Sequence, residues 1–482
     1  MHDVIIIGCG IVGAAAAYEL SQYELDVIVL EKENDAAAGA TKANSAIIHA
    51  GYDPKPGSLM ARLNVEGGRL AKDLCEKLDV PYRQCGSLVL AFSEEQAKTL
   101  ERLLRNGREN GVTGLTILDG RQTAAMEPNL SRDVVAALHA PTAAIVNPWE
   151  YALALAETAV KNGARLELER AVTGIARLSD GYRVETSGGM VAGRHIVNAA
   201  GLCADTVHNM IAEPSYEIRP DRGEYYLLDK QEGERVGRVV FQCPTASGKG
   251  VMVSPTVHGN LIVGPNSEKP LDGGDVSTTA AGLEYVRATA GQSVPDIDFR
   301  ATIRNFSGNR ARSTHSDFII GEAKGAKGFI DLAGICSPGL SAAPAIAKMA
   351  VELLRESGLA LRPKASFCGE RRRVRFHALA HAQIAKLVAQ NPAYGRVVCR
   401  CEQVTEGEIL DALSAPIPPR SVDAVKRRVG AGMGRCQGGF CGPRVVELLA
   451  AHRGCDPTEV LQDGAGTVIL AAETGKRGVF CE

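Results

Sequence analysis

Apolar and polar residues alternate along this chain in two distinct ways. Short unbroken apolar runs, Asp-Val-Ile-Ile-Ile (3–7) and Asp26-Val-Ile-Val-Leu30, predict strands covered on both faces. Gly8-Cys9-Gly10-Ile-Val-Gly13 predicts a tight turn between them, and Ala14 to Ser21 a helix. Residues 3 to 31 therefore read as strand, glycine turn, helix and strand, ending on Glu31. Further on, the pattern predicts a strand at Ser87–Phe92, a charged helix at Glu94–Asn110 and an amphipathic helix from Pro148 to Gly163. Strands follow around 165–169, 172–178 and 182–187, then Ile196-Val-Asn-Ala-Ala-Gly201. The block 216–321 is rich in strands and turns (EYYLLD, GVMVSPT, NLIVGP), as an antiparallel sheet roofing a substrate would be. Ile330 to Arg355 returns to strand, glycine–proline turn and apolar helix. Residues 358–396 read as a linker with one helix, and no internal repeat or low-complexity segment is visible.

At 482 residues the chain has room for two or three domains. A formal net charge of -2 gives no electrostatic case for nucleic acid or an anionic membrane surface. The basic run Arg371, Arg372, Arg373 and Arg375 reads as a solvated linker or an interdomain contact. The apolar stretch Val4 to Tyr18 lacks a preceding positive segment, starts after Asp3 and is broken by glycines, so it is not read as a signal core. No other uncharged run approaches the roughly twenty residues of a membrane helix. With 13 cysteines in no secreted-scaffold spacing, a reducing compartment is expected. The expectation is a cytoplasmic protein, meeting a membrane only through a partner.

Two constellations carry chemistry. Gly8-x-Gly10-x-x-Gly13, between strand and helix, lets backbone amides approach a pyrophosphate, and Glu31 stands where a carboxylate can accept from ribose hydroxyls. This predicts a dinucleotide site. Cys399-x-Cys401 and Cys436-x4-Cys441 place four thiolates in two tight pairs, as an iron–sulfur cluster or a structural zinc needs. The CxC spacing is less typical of zinc, whose paired ligands usually stand two to four residues apart. His377 and His381 are spaced i, i+4 and read as neighbours on a helix face.

The segments NSAIIHAGYDPKPGSLMARL (44–63), GKGVMVSPTVHGNLIVGP (248–265) and GICSPGLSAAPAIA (334–347) resemble the D-amino-acid oxidase superfamily of FAD oxidoreductases. Within it, the likeness is to L-2-hydroxyglutarate and glycerol-3-phosphate dehydrogenases, over residues 1–360. The cysteine module resembles the [2Fe–2S] domain of bacterioferritin-associated ferredoxin in its CxC and GMGxCQGxxC spacings. It narrows the likeness to the large subunits of anaerobic glycerol-3-phosphate dehydrogenases. Between its cysteines, Thr405 and Glu408 predict a capping box.

The resemblance implies an α/β fold: a Rossmann-like FAD-binding domain (1–85, 145–215 and 322–360) with an α+β substrate domain (86–144 and 216–321) inserted in segments. A linker (361–396), a small α-rich [2Fe–2S] domain (397–455) and a tail (456–482) follow. Gly8, Gly10, Gly13 and Glu31 would hold the adenine half of FAD, and Thr41, Asn44 and Ser45 would line the flavin. Gly201 belongs to the recurring nucleotide-strand pattern, and Gly334, Gly339 and Leu340 to the turn that closes over the flavin. Cys399, Cys401, Cys436 and Cys441 would hold the cluster.

His49, after the Asn-Ser turn, is the candidate base or flavin contact, since imidazole suits proton transfer near neutrality. Arg310, in a GxR segment, is the candidate clamp for a phosphate or carboxylate, with Lys249 a second contact. Asn309 stands where relatives carry leucine; Arg304 and Arg312 are alternatives to Arg310. His258 reads as a turn residue, and Cys9 and Cys336 as packing. The implied reaction is oxidation of sn-glycerol 3-phosphate to dihydroxyacetone phosphate, with electrons passing through the cluster to a partner subunit or acceptor. The alternatives are an L-2-hydroxy-acid substrate, an amine or amino acid in a multi-subunit complex, and a subunit that has lost catalysis.

Overall fold

The computed structural model describes residues 1–244 and 250–472; Lys249 and Cys481 lie outside them. Contacts divide the chain into two units, residues 1–32 with 36–371, and residues 33–35 with the chain from Arg372 onward.

The first unit is built on two eight-stranded sheets. In one, the apolar runs His2–Ile7 and Val27–Leu30 pair in parallel, flanked by Arg165–Glu167 and by the end of Gly189–Asn198. Phe329–Ala333 joins beyond, also in parallel. An antiparallel extension, Val172–Leu178 with Gly181–Thr186, completes the pattern of a nucleotide-binding sheet. The second sheet is largely antiparallel. It orders Thr302–Ser313, Ile218–Leu228, Leu261–Gly264, Met252–Pro255, Val239–Gln242, Ser87–Ala91, Ala136–Ala140 and Thr116–Asp119. Its core is aliphatic: Leu88, Leu90, Val253, Leu261, Val263 and Val286 are fully buried. The charged helix forms over Glu94–Glu109, where the Ser93 hydroxyl accepts from the Gln96 amide and caps its start.

The helix predicted as amphipathic, Pro148–Lys161, is buried along nearly its whole length. The sequence pattern misled because its polar face includes Glu150 and Glu157, both buried. Arg371 neutralises them, its Nε 2.8 Å from Glu157 and its Nη1 3.6 Å from Glu150. Arg371 thus belongs to the core of this unit and is not a solvated linker charge.

The second unit holds a short hairpin, Val397–Cys399 with Val404–Thr405, and the helices Glu406–Leu413, Val422–Val429 and Gly442–Arg453. Ile409, Leu413, Val425, Val445 and Leu449 form its core. Thr405 and Glu408 close the expected capping box. Within this unit the buried Asp35 carboxylate accepts from Arg427 at 2.9 Å and Arg428 at 2.8 Å. Tyr394 lies with its ring where a side chain at Gly407 would stand, so that glycine makes room for it. His377 and His381 do not share a helix face. His377 sits in the short turn Phe376–Ala378, and His381 begins the separate helix His381–Gln390, with Leu379 and Ala380 extended between them. Among the described residues no helix is long and apolar enough to cross a membrane.

Candidate active site and cysteine centre

The glycine loop is as crowded as the spacing requires. A Cβ on Gly13 would stand 2.0 Å from the Gly8 carbonyl oxygen, and one on Gly8 2.6 Å from that of Ala199; Gly8 itself has φ +98. Helix Ile11–Leu20 starts at Gly10 without a side-chain cap. The Ile11 amide donates to Thr41 Oγ1 at 3.0 Å. Thr41, expected along the flavin, therefore also closes on the glycine loop. Glu31 is buried at the strand end, where its Oε2 accepts from the Cys9 amide at 2.7 Å. Cys9 is a packing residue whose backbone orients the carboxylate.

Gly201, at φ +59, opens the turn after Asn198. Asn198 and its register partner Asp331 are joined by a 2.8 Å side-chain hydrogen bond, and Asp331 also binds His208 and Tyr216. This buried polar knot, not foreseen from sequence, ties the ends of the two strands together.

The second face of the site is assembled by the loop after the glycine turn. Asn44 donates to the Thr41 carbonyl and accepts from the Ala46 amide, folding the loop tightly. Strand Thr302–Ser313 lies so close that a Cβ on Gly308 would stand 2.0 Å from the Ala43 oxygen. That contact explains the glycine of the GxR segment and brings Arg310 to this loop. Gly223, on the neighbouring strand, leaves room for the Arg310 guanidinium: a Cβ there would stand 2.5 Å from Nη2.

Arg310 donates to Asp221 at 2.7 Å and to the Asn266 carbonyl at 3.0 Å. Asp221 also accepts from Arg312 Nε at 2.6 Å and from Ser267 at 2.6 Å. Burial pushes the Asp221 carboxyl up, but Arg310, Ser267 and Arg312 together hold it below its ordinary range. Two guanidiniums against one carboxylate leave net positive charge here. Arg304 is exposed on the same strand. Asn309 is buried and donates to the Gly273 and Asp275 carbonyls, which fixes its strand to that loop.

His49 is half-buried. Its amide donates to Ser341 Oγ at 2.7 Å, and its Nε2 stands 3.3 Å from Ser337 Oγ. Its ring stacks on Phe241, with centroids 5.8 Å apart. A pocket beside it is lined by Tyr52, Asp53, Gln242 and Ser337 among others. Gly334, at φ +64, and Gly339 frame the turn into helix Gly339–Glu356, with Leu340 half-buried on its first turn. His258 lies in a turn, its Nε2 3.0 Å from the Asn147 amide nitrogen. Cys336 is half-buried, with its thiol toward the Ser337 carbonyl.

In the second unit the four cysteines stand as two pairs, without three or more gathering around one point. Cys401 and Cys436 approach with sulfurs 3.6 Å apart, and the Cys399 and Cys441 thiols hydrogen-bond. Each pair takes one cysteine from each loop, an arrangement suited to two irons sharing bridging sulfides. The Cys441 thiol and the Gly432 and Glu402 amides hold Cys399 below its ordinary range, and the same hydrogen bond pushes Cys441 up, so the two sulfurs share one proton. Gly434 makes the approach feasible, since a Cβ there would lie 2.3 Å from Cys401 Cβ.

Residues 3–353 match the DAO family, FAD dependent oxidoreductase. The chain belongs to that family. Residues 397–451 match the BFD-like [2Fe-2S] binding domain. The chain is 47% identical to a glycerol 3-phosphate dehydrogenase of Caloramator mitchellensis, covering 98% of this chain and 99% of the relative. It is 33% identical to mouse mitochondrial L-2-hydroxyglutarate dehydrogenase, covering 54% of this chain and 60% of that one. Among solved structures, dithionite-reduced L-alpha-glycerophosphate oxidase from Mycoplasma pneumoniae with FAD bound superposes with a TM-score of 0.74. That match, at 32% identity, covers 78% of this chain and 99% of the other.

This flavoenzyme therefore uses FAD and a [2Fe–2S] cluster. Its own geometry fits both, through the crowded glycine turn with Glu31 behind it and the two sulfur pairs. The sequence reading missed Tyr225, whose hydroxyl stands 3.2 Å from Ser45 Oγ and hydrogen-bonds Arg310. It also missed Asp221, the cross-strand partner of Arg310. The only sequence signal for either was a strand pattern.

Proposed function

We propose that the chain oxidises sn-glycerol 3-phosphate to dihydroxyacetone phosphate and passes the electrons to a partner protein. The observation that carries this reading is the 47% identity, across 98% of the chain, with a protein named glycerol 3-phosphate dehydrogenase. The match spans both units, so it supports the dehydrogenase and the electron carrier together.

FAD, when bound, supplies the hydride acceptor, and the cluster a one-electron carrier. The chain's own residues do the rest. Arg310 takes the phosphate, with Lys249 as a second contact, and the shared Asp221 keeps the guanidinium fork from swinging away. Tyr225 and Ser45 position that fork against the flavin-side loop. His49 accepts the proton from the 2-hydroxyl while hydride leaves C2; Ser337 and Ser341 hold its orientation. Gly8, Gly10, Gly13, Glu31, Thr41 and Asn44 bind and orient the cofactor, with Gly201, Gly334, Gly339 and Leu340 shaping the turns around it.

The cytoplasm is the setting this reading favours. The twelve cysteines among the described residues form no disulfide, and a thiol-ligated cluster suits a reducing compartment.

The test is an anaerobic titration of the cluster-replete protein, following bleaching of the flavin's long-wavelength band. Bleaching by glycerol 3-phosphate and not by L-2-hydroxyglutarate is expected. The reverse result would transfer the substrate to the hydroxy-acid branch, and bleaching by neither would overturn the reading.

A further inference from the structure

The four cysteines differ in cover. Cys399 and Cys441 are buried, whereas Cys401 is exposed and Cys436 half-buried. One sulfur pair therefore reaches solvent, on a surface with its own character. Phe440, the residue before Cys441, is 75% exposed and takes no part in the core of its unit. Val397, two residues before Cys399, is 49% exposed. Aromatic side chains standing in water beside arginines mark protein interfaces more often than protein surfaces in general.

Arg400 lies between Cys399 and Cys401, and Arg435 directly precedes Cys436; both are exposed. Within the ligand-bearing segments 397–405 and 430–441 they are opposed by one acid, the half-buried Glu402. The nearby Glu406 is committed: it accepts from Arg396 at 2.6 Å and from Arg444 at 3.0 Å.

Resting on the reading that electrons leave through the cluster, we propose that the exposed Phe440, Arg400 and Arg435, on the loops that carry Cys401 and Cys436, dock a redox protein whose cofactor is rimmed by carboxylates. The apolar ring excludes water at the point of closest approach, and the two arginines steer and orient an acidic carrier. Electrons then exit by the Cys401–Cys436 side of the cluster, the side open to a partner.

The test uses the holoenzyme and an acidic plant-type [2Fe–2S] ferredoxin as probe, with affinity measured calorimetrically at low and high ionic strength. The wild type is expected to bind at low ionic strength and more weakly at high. Phe440→Ala, and separately the double variant Arg400→Glu/Arg435→Glu, should each weaken binding by about tenfold or more. Both variants should keep the cluster's visible absorbance and the bleaching of flavin by glycerol 3-phosphate. No binding by the wild type, equal affinity in cluster-replete variants, or binding that strengthens with salt would each overturn the proposal. Failure of glycerol 3-phosphate to bleach the flavin would sink the substrate reading and leave the docking result standing.

Discussion

Tyr225 bridges two parts of the chain that the sequence keeps 180 residues apart: its hydroxyl is 3.2 Å from Ser45 Oγ, and it hydrogen-bonds Arg310. Its ring stacks on Phe306 with centroids 4.7 Å apart and planes 7° from parallel. The loop that carries Ser45 and the strand that carries Arg310 are thereby held together, which braces the Arg310 guanidinium.

Removing that fork should therefore weaken substrate binding far more than loosening it. Arg310→Ala is expected to raise KM for glycerol 3-phosphate by about 30- to 1,000-fold, the loss of roughly 2–4 kcal/mol of charge-assisted hydrogen bonding. Tyr225→Phe removes a neutral hydrogen bond and should raise KM by only about 2- to 10-fold. Steady-state kinetics on both variants check this. An unchanged KM in Arg310→Ala would remove the residue from the substrate site.

His49 should act on the chemical step. In His49→Ala, the rate of flavin reduction at saturating substrate is expected to fall about 10²- to 10⁴-fold, with KM changed only a few-fold. Stopped-flow reduction reads this directly. A loss well below tenfold would leave His49 as a residue that packs against the cofactor.

Cys436→Ser should abolish the cluster's visible absorbance while the flavin spectrum remains. Flavin bleaching by substrate should persist, and delivery to a one-electron acceptor should collapse. Metal analysis completes the test: zinc in the wild-type protein would refute the cluster assignment.

Asp35 offers a stability prediction. Burial raises its carboxyl pKa, yet Arg428 and Arg427 hold it below its usual range. A carboxyl depressed in the folded state stabilises above its unfolded pKa, and that contribution is lost as pH falls through the lower folded value. The second unit should accordingly weaken below about pH 4. Asp35→Asn should cost about 3–5 kcal/mol by removing the buried carboxylate that Arg428 and Arg427 share, with Asp463 remaining to Arg427. Urea unfolding followed by cluster absorbance measures both. A cost below about 1 kcal/mol would show that the ion pair supplies no net stability.

Local chemistry was readable in the sequence where one segment held all its parts. The glycine turn, the Thr405–Glu408 capping box and the helix after Ser93 depend on residues within a few positions of each other. What escaped was what only the sheet brings together. Asp221 and Arg310 meet through strand register 89 residues apart, and Gly223 matters solely because that guanidinium passes over it. The polar face of Pro148–Lys161 appeared solvent-exposed because its counter-ion, Arg371, follows more than two hundred residues later. Periodicity records which residues are polar, and leaves unspoken which of them carry their partner into the core.

The order of the chain also sets the order in which the enzyme can be made. Phe329–Ala333 is the last parallel strand to join the nucleotide sheet, so that sheet closes only after residue 333 has left the ribosome. Each sulfur pair joins the loop at 399–401 to the loop at 436–441, so neither pair exists until almost the whole chain has been synthesised. Iron loading is thus a late event on a chain whose flavin half can already have folded. A shortage of iron would then leave behind a protein able to take electrons from its substrate and unable to hand them on.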